Sequence, residues 1–219
     1  TSCPTPSGRE PVSTPDALAA ELERLVRKEQ RSQRLPSITA AVLRDGEMVW
    51  ETAVGSAAEH QDATPDTQYR LGSITKTFTA AAIMQLRDRG RLTLDDRVTS
   101  YIPELRQVHD PYGSMDSVTI RMLMSHSAGF QNPTWPYKQG KPWEPFEPTT
   151  WNQLVAMMPY QEVSFKPGSR YSYSNPGFIY LAPIIETLTG DPWETYVQKN
   201  ILSPLQLDRS YFGVTPYYL

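Results

Sequence analysis

Ser73 and Lys76 stand three residues apart at the front of a segment whose body, Ala80 to Leu86, is mostly apolar. Spacing of three on a helix makes two side chains neighbours on one face, so the lysine amine can approach the serine oxygen. The serine falls in the first turn, where the positive end of the helix favours developing negative charge. Such a pair suits a nucleophile and its proton acceptor, provided that burial among apolar neighbours turns the ammonium into an amine. The same residues also read as a capping serine and a solvated lysine, and a chain of this length holds roughly one Ser-x-x-Lys by chance.

A second group lies about a hundred positions on, in Tyr171-Ser172-Tyr173-Ser174-Asn175, between Lys166-Pro167-Gly168 and Pro176. Two residues apart in extended backbone, Tyr173 and Asn175 point to the same side. The phenol can relay a proton, and the carboxamide offers a donor and an acceptor to a substrate amide. Taken by itself the stretch is also an ordinary strand-to-helix turn in which Asn175 caps the helix. His126 is a third candidate, as the base of a serine-histidine-acid triad. The sequence has no Gly-x-Ser-x-Gly elbow to go with it, and a buried, hydrogen-bonded histidine is the preferred reading.

These groups need a scaffold. Pro15 to Arg31 reads as an amphipathic helix, with Leu18, Leu22, Leu25 and Val26 at helical spacing and Asp16 as cap. Ser37 to Arg44 and Glu47 to Val54 read as strands, joined by Asp45-Gly46, a two-residue hairpin signal. Ala58 to Thr67 is polar and reads as a loop. Ser73 to Arg89 is the clearest helix, with Gly90 at its C-terminal end, and its apolar character predicts a central, buried position. Shorter helices are expected over Leu94 to Ile102, Thr119 to Ser127, Thr150 to Met158, Pro176 to Thr189 and Pro192 to Asn200. Phe130 to Thr149 carries prolines and the rings of Trp135, Tyr137, Trp143 and Phe146 without a period, so an ordered loop is expected there, its rings packed in the core or lining a pocket.

The layout predicts a flexible leader over 1–14, a helix and hairpin over 15–58, a mainly helical domain over 59–212 carrying both motifs, and the start of a further part over 213–219. One hairpin is marginal in water without neighbours, so a C-terminal segment, from the same gene or a second chain, is expected to complete the sheet.

Bulk properties narrow the function. The chain has 219 residues and a net charge of −3, with 39 % hydrophobic and 21 % charged residues. That balance gives no electrostatic grip on nucleic acid. No apolar run approaches the roughly 18 residues of a membrane span. One cysteine and three histidines, none at ligand spacing, lead us to expect no metal and no cofactor. Cys3 follows two small residues and precedes a proline-rich leader, which suits a lipid-anchored exported protein and equally an incidental thiol. An exported location, periplasmic, secreted or anchored, is the expectation.

The two motifs in this order, separated by a helical block, resemble the first two signatures of the serine β-lactamase and penicillin-binding-protein superfamily: class C β-lactamases, DD-peptidases and related esterases. The resemblance continues in Tyr69-Arg70-Leu71-Gly72, in Gly90-Arg91-Leu92-Thr93-Leu94-Asp95-Asp96, in Met122 through Gly129, in Pro167 through Asn175 and in Ile201-Leu202-Ser203-Pro204-Leu205. It implies an α+β fold, a β-lactamase-like α/β sandwich, incomplete in this chain, with an inserted all-helical domain and the active site at their junction. It also implies Ser73 as acylated nucleophile, Lys76 as general base, Tyr173 as proton-transfer partner and Asn175 as holder of the substrate amide. The Ser73 N–H would be one half of the oxyanion hole. The family's third motif, Lys-Thr-Gly or His-x-Gly on a C-terminal strand, does not occur in this sequence. The expected activity is a serine hydrolase or acyltransferase acting on β-lactams, D-alanyl peptides or esters. The alternative is an inactive penicillin-binding-like protein with a binding or regulatory role.

Overall fold

The computed structural model describes residues 16–130 and 148–213. The leader with Cys3, the rings of Trp135, Tyr137, Trp143 and Phe146, and residues 214–219 lie outside the described residues. The chain divides into two compact units, Thr1–Arg70 and Leu71–Leu219.

In the first unit α1 (Asp16–Ser32) precedes an antiparallel hairpin of β1 (Ser37–Arg44) and β2 (Glu47–Ala58). The Asp45-Gly46 turn has positive φ at both residues, 52° and 84°, the mirror-image turn whose twist matches that of paired strands. The strand register runs from Ser37 opposite Gly55 to Arg44 opposite Glu47, with an irregularity between Val42 and Leu43. The segment read as a loop after β2 supplies a two-residue third strand, β3 (Gln61–Asp62), giving the order β1-β2-β3. Polar composition concealed it, because a strand this short has no alternation to detect. No residue of α1 is buried, and Leu18, Leu25, Leu43 and Met48 are exposed. Among the described apolar residues of this unit, only Val54 and Ala63 are buried.

The second unit holds the core. A 3₁₀ turn over Gly72–Ile74 runs directly into α2 (Thr75–Asp88). Thr79, Ala82, Ile83 and Leu86 form the buried stripe of α2, so the helix is central on one face rather than enclosed all round. It stops where Gly90 N–H bonds Arg87 C=O at 2.9 Å and Arg91 N–H bonds Leu86 C=O at 2.9 Å, the paired closure of a Schellman end. The helix expected over Leu94 to Ile102 is instead a clasp. Asp96 accepts from Thr93 N–H at 2.9 Å, from the Thr93 hydroxyl at 2.6 Å and from Tyr101 at 2.7 Å. These bonds compete with helix propagation, and only a 3₁₀ turn, Val98–Ser100, remains.

Next come α3 (Ile120–Met124), capped by Thr119, and α4 (Trp151–Met157), opened by a Thr150–Gln153 capping box. The helix expected over Pro176 to Thr189 is two, α5 (Asn175–Ile179) and α6 (Leu181–Thr189). Pro183 has no N–H for the Ile179 carbonyl, so the ladder breaks between them. The last helix, α7 (Trp193–Val197), passes into a π turn over Gln198–Leu202. Ile83, Leu86, Ile102, Leu105, Ile120, Leu123, Leu181 and Ile184 are among the fully buried residues of the shared core. Among the described residues no helix is long and apolar enough to cross a membrane.

A tight turn after α3 brings the chain towards the motif segment. Gly129 has φ +89°, and a Cβ there would sit 2.7 Å from the Phe165 carbonyl oxygen and 3.1 Å from Val163 Cβ. Both the torsion and the backbone contact oppose any side chain. Gly129→Ala is expected to lower stability by about 1–3 kcal/mol, read as an earlier midpoint in urea. An unchanged midpoint would mean that the turn relaxes without cost.

Candidate active site

Ser73 lies in the 3₁₀ turn that starts the α2 helix, at the end where N–H groups have no partner in a preceding turn. Lys76 follows in the first turn of α2 and is half-buried. Its Nζ donates to Ser73 Oγ at 3.3 Å and to Asn175 Oδ1 at 2.8 Å. The Tyr173 hydroxyl donates to Ser73 Oγ at 2.6 Å. The Lys76 ammonium also sits 4.9 Å from the centroid of the Tyr173 ring and 5.8 Å from that of Phe178. All four residues picked out in the sequence therefore meet, across about a hundred positions of chain. Thr77 turns its hydroxyl back onto the Ile74 carbonyl.

The local fold explains why Tyr173 and Asn175 share a direction. The segment from Gly168 to Ser174 is pinned to the turn after α3 by three bonds. Gly168 N–H reaches Ser127 C=O at 2.8 Å, Ser172 N–H reaches His126 C=O at 2.8 Å, and Ser174 N–H reaches His126 Nδ1 at 3.1 Å. Ser174, rather than Asn175, caps α5 by accepting from Gly177 N–H at 3.2 Å. The capping reading of Asn175 is thereby replaced, and its carboxamide turns to Lys76. Arg170 stacks on Phe165 with 4.5 Å to the centroid, closing the turn on its other side.

Electrostatics follow from these contacts. Hydrogen bonding to Lys76, then to Ser73, holds the Tyr173 phenol below its ordinary range, with burial opposing. Burial, then the Lys76 charge, pushes the His126 imidazole below its usual value of 6.5. His126 adopts φ 55° and is half-buried. It stacks against Tyr173 at 4.5 Å and Phe178 at 4.9 Å and meets Tyr171 edge-on at 5.8 Å. Among the described residues no acid lies against its ring, and its Nδ1 accepts from Ser174 N–H, the arrangement of a hydrogen-bonded histidine. Ser174 and Phe178 were not singled out in the sequence. The Ser-x-x-Gly cap spacing signals the first, and a ring three positions after Asn175 on one helix face signals the second. Among the described residues no group of three or more His, Cys, Asp or Glu is arranged to hold a metal.

Comparison with known proteins bears on the fold and the family. The chain is 29 % identical to the Escherichia coli (strain K12) protein called "Putative D-alanyl-D-alanine carboxypeptidase", over 97 % of this chain and 53 % of that one. It thus spans about half the length of the curated relatives it matches. An octameric penicillin-binding protein homologue from Pyrococcus abyssi superposes with a TM-score of 0.73 at 33 % identity, covering 89 % of this chain and 44 % of the other. A class C β-lactamase solved with cefoxitin shares the fold, with a TM-score of 0.75 at 24 % identity over 93 % of this chain and 53 % of the other. The Beta-lactamase family model matches residues 22–217, and the chain belongs to that family, within the serine β-lactamase and penicillin-binding-protein superfamily.

Proposed function

We propose that the protein is a serine hydrolase or acyltransferase that forms an acyl-enzyme on Ser73 from an amide or ester carbonyl. One observation carries the reading: the Ser73 oxygen lies in hydrogen-bond contact with both a lysine amine and a tyrosine phenol. In the reacting form the Lys76–Tyr173 pair holds one proton fewer than in the resting arrangement, because an ammonium beside a neutral phenol offers no base. The serine proton passes to this pair as Oγ attacks the carbonyl carbon. The carbonyl π electrons move to oxygen, where the Ser73 N–H and the helix end meet the developing charge. The oxyanion then collapses, the C–N or C–O bond breaks, and the pair returns the proton to the departing nitrogen or oxygen. Water, or another acceptor, adds to the ester by the same steps in reverse order. Asn175, turned to the same side, holds the substrate amide.

The remaining elements of the reading have separate support. A single oxyanion donor is a poor catalyst, since losing one of two costs roughly 10²–10³ in rate. A further segment, from this gene or a second chain, supplies the other donor and strands of an α/β sandwich in which the helical domain is an insertion. The exposed Leu18, Leu25, Leu43 and Met48 of the first unit are apolar surface for such strands to cover. Similarity to the E. coli protein called "Putative D-alanyl-D-alanine carboxypeptidase" makes D-alanyl-D-alanine peptides the first substrates to try, ahead of β-lactams and simple esters.

The whole protein, as its gene encodes it, is incubated with a D-alanyl-D-alanine peptide, a chromogenic cephalosporin and a p-nitrophenyl ester. Turnover of at least one substrate, lost in Ser73→Ala, is expected. Turnover that survives Ser73→Ala would overturn the reading, and absence of both turnover and acylation would favour a binding protein.

A further inference from the structure

We propose that His126 is a positioning residue that keeps Tyr173 against Ser73 only while its own ring is neutral, so that acylation has an acid limb set by this histidine. The proposal rests on Ser73 being the nucleophile.

His126 holds the tyrosine from both sides. Its carbonyl accepts from Ser172 N–H at 2.8 Å and its Nδ1 accepts from Ser174 N–H at 3.1 Å, the residues immediately before and after Tyr173. Its ring then stacks on the Tyr173 ring with centroids 4.5 Å apart. Main chain and side chain of the tyrosine are therefore oriented by one residue, and the phenol so placed reaches Ser73 Oγ at 2.6 Å. The left-handed backbone of His126, φ 55°, is what lets carbonyl and imidazole face the same strand of chain.

Protonation reverses the key bond. An N–H can point at Nδ1 only while that nitrogen keeps its lone pair; in the imidazolium both ring nitrogens are donors. Ser174 N–H would then face another N–H. Because Ser174 also caps α5 and so sets where Asn175 begins that helix, the disturbance reaches both the phenol and the carboxamide. The groups around the ring are Lys76 from α2, Tyr171 and Tyr173 from the motif segment, and the uncharged Phe178 from α5. Aromatic faces attract a cation, but burial and the nearby Lys76 ammonium act the other way and dominate, favouring the neutral ring. The resting structure is thus the neutral-histidine state, and the charged state appears as pH falls below the ordinary histidine range.

The test measures the second-order rate of Ser73 acylation by a fluorescent penicillin or fluorophosphonate, on the whole protein, from about pH 5 to 8. Wild type, His126→Asn and His126→Ala are compared, with the His126 ring titration followed by NMR. Asparagine keeps an acceptor near the Nδ1 position, tolerates positive φ and does not titrate. Wild type is expected to lose rate about tenfold per pH unit below the midpoint of the His126 titration. His126→Ala should be slower by on the order of 10²-fold at neutral pH, the effect of a misplaced catalytic group. His126→Asn should recover most of that loss and show no acid limb that follows the His126 titration, leaving only the limb of the Lys76–Tyr173 pair. An acid limb unchanged in His126→Asn, or a wild-type rate in His126→Ala, would overturn the proposal. Wild type that never acylates at any pH would instead overturn the reading of Ser73 on which it rests.

Discussion

Lys76→Ala is expected to slow acylation of Ser73 by roughly 10²–10⁴-fold at neutral pH, the range of a lost general base, while the protein stays folded. Four contacts disappear with the amine: the bond to Ser73 at 3.3 Å, the bond to Asn175 at 2.8 Å and the charge over the Tyr173 and Phe178 rings. None involves the buried hydrophobic core residues of α2, which are Ala82, Ile83 and Leu86. Stability should therefore change by no more than about 1 kcal/mol. The variant also carries a signature. Lys76 is the main cause of the lowered Tyr173 phenol, so its removal lets the phenol return upward, and any residual rate should rise only at higher pH than in wild type. Stopped-flow acylation across pH, with thermal melting as control, reads all three effects. Acylation at the ordinary rate in a folded Lys76→Ala protein would mean that another group accepts the serine proton.

Tyr173→Phe is expected to slow acylation by about 10²–10³-fold with a much smaller change in KM. Phenylalanine keeps the ring that stacks between His126 and Lys76, so binding geometry and fold persist. What goes is the hydroxyl 2.6 Å from Ser73 Oγ, and with it the route by which a proton reaches the leaving group. Loss confined to kcat marks an interaction made in the transition state rather than on binding. A variant with unchanged kcat and raised KM would reassign the tyrosine to substrate binding.

The His126 titration should also appear in folding. Its folded pKa lies below the unfolded value of 6.5, so the unfolded chain takes up the proton first as pH drops. The associated stability is present above 6.5 and is lost as pH falls through the folded value.

Ser73 and Lys76 were legible because a helix imposes neighbourhood at a spacing of three, and Tyr173 and Asn175 because extended backbone imposes it at two. The hairpin at Asp45-Gly46 and the end of α2 at Gly90 were legible for the same reason: backbone chemistry is local. The clasp around Asp96 was not, since the stretch from Leu94 to Ile102 has no Gly or Pro to break a helix, and only the side-chain bonds of Asp96 to Thr93 and Tyr101 divert it. The break at Tyr180 followed from Pro183 but sits three residues before it. The convergence itself is a tertiary fact. The bond from Ser174 to His126 spans 48 positions and that from Tyr173 to Ser73 spans 100, distances at which spacing rules carry no information. Resemblance to known motifs bridged that gap for the four site residues, and did so less well for His126, whose hold on Tyr173 depends on a positive φ.

The most direct test is to digest the whole protein after reaction with an acylating probe and locate the added mass by peptide sequencing. Cleavage after Arg70 and Lys76 releases Leu71–Lys76, in which Ser73 and Thr75 bear hydroxyls, and fragment ions between the two assign the mass to one of them. The account predicts the probe's mass on that peptide, or on its missed-cleavage extension, at Ser73. A probe mass on another residue, with Ser73 unmodified, would contradict it.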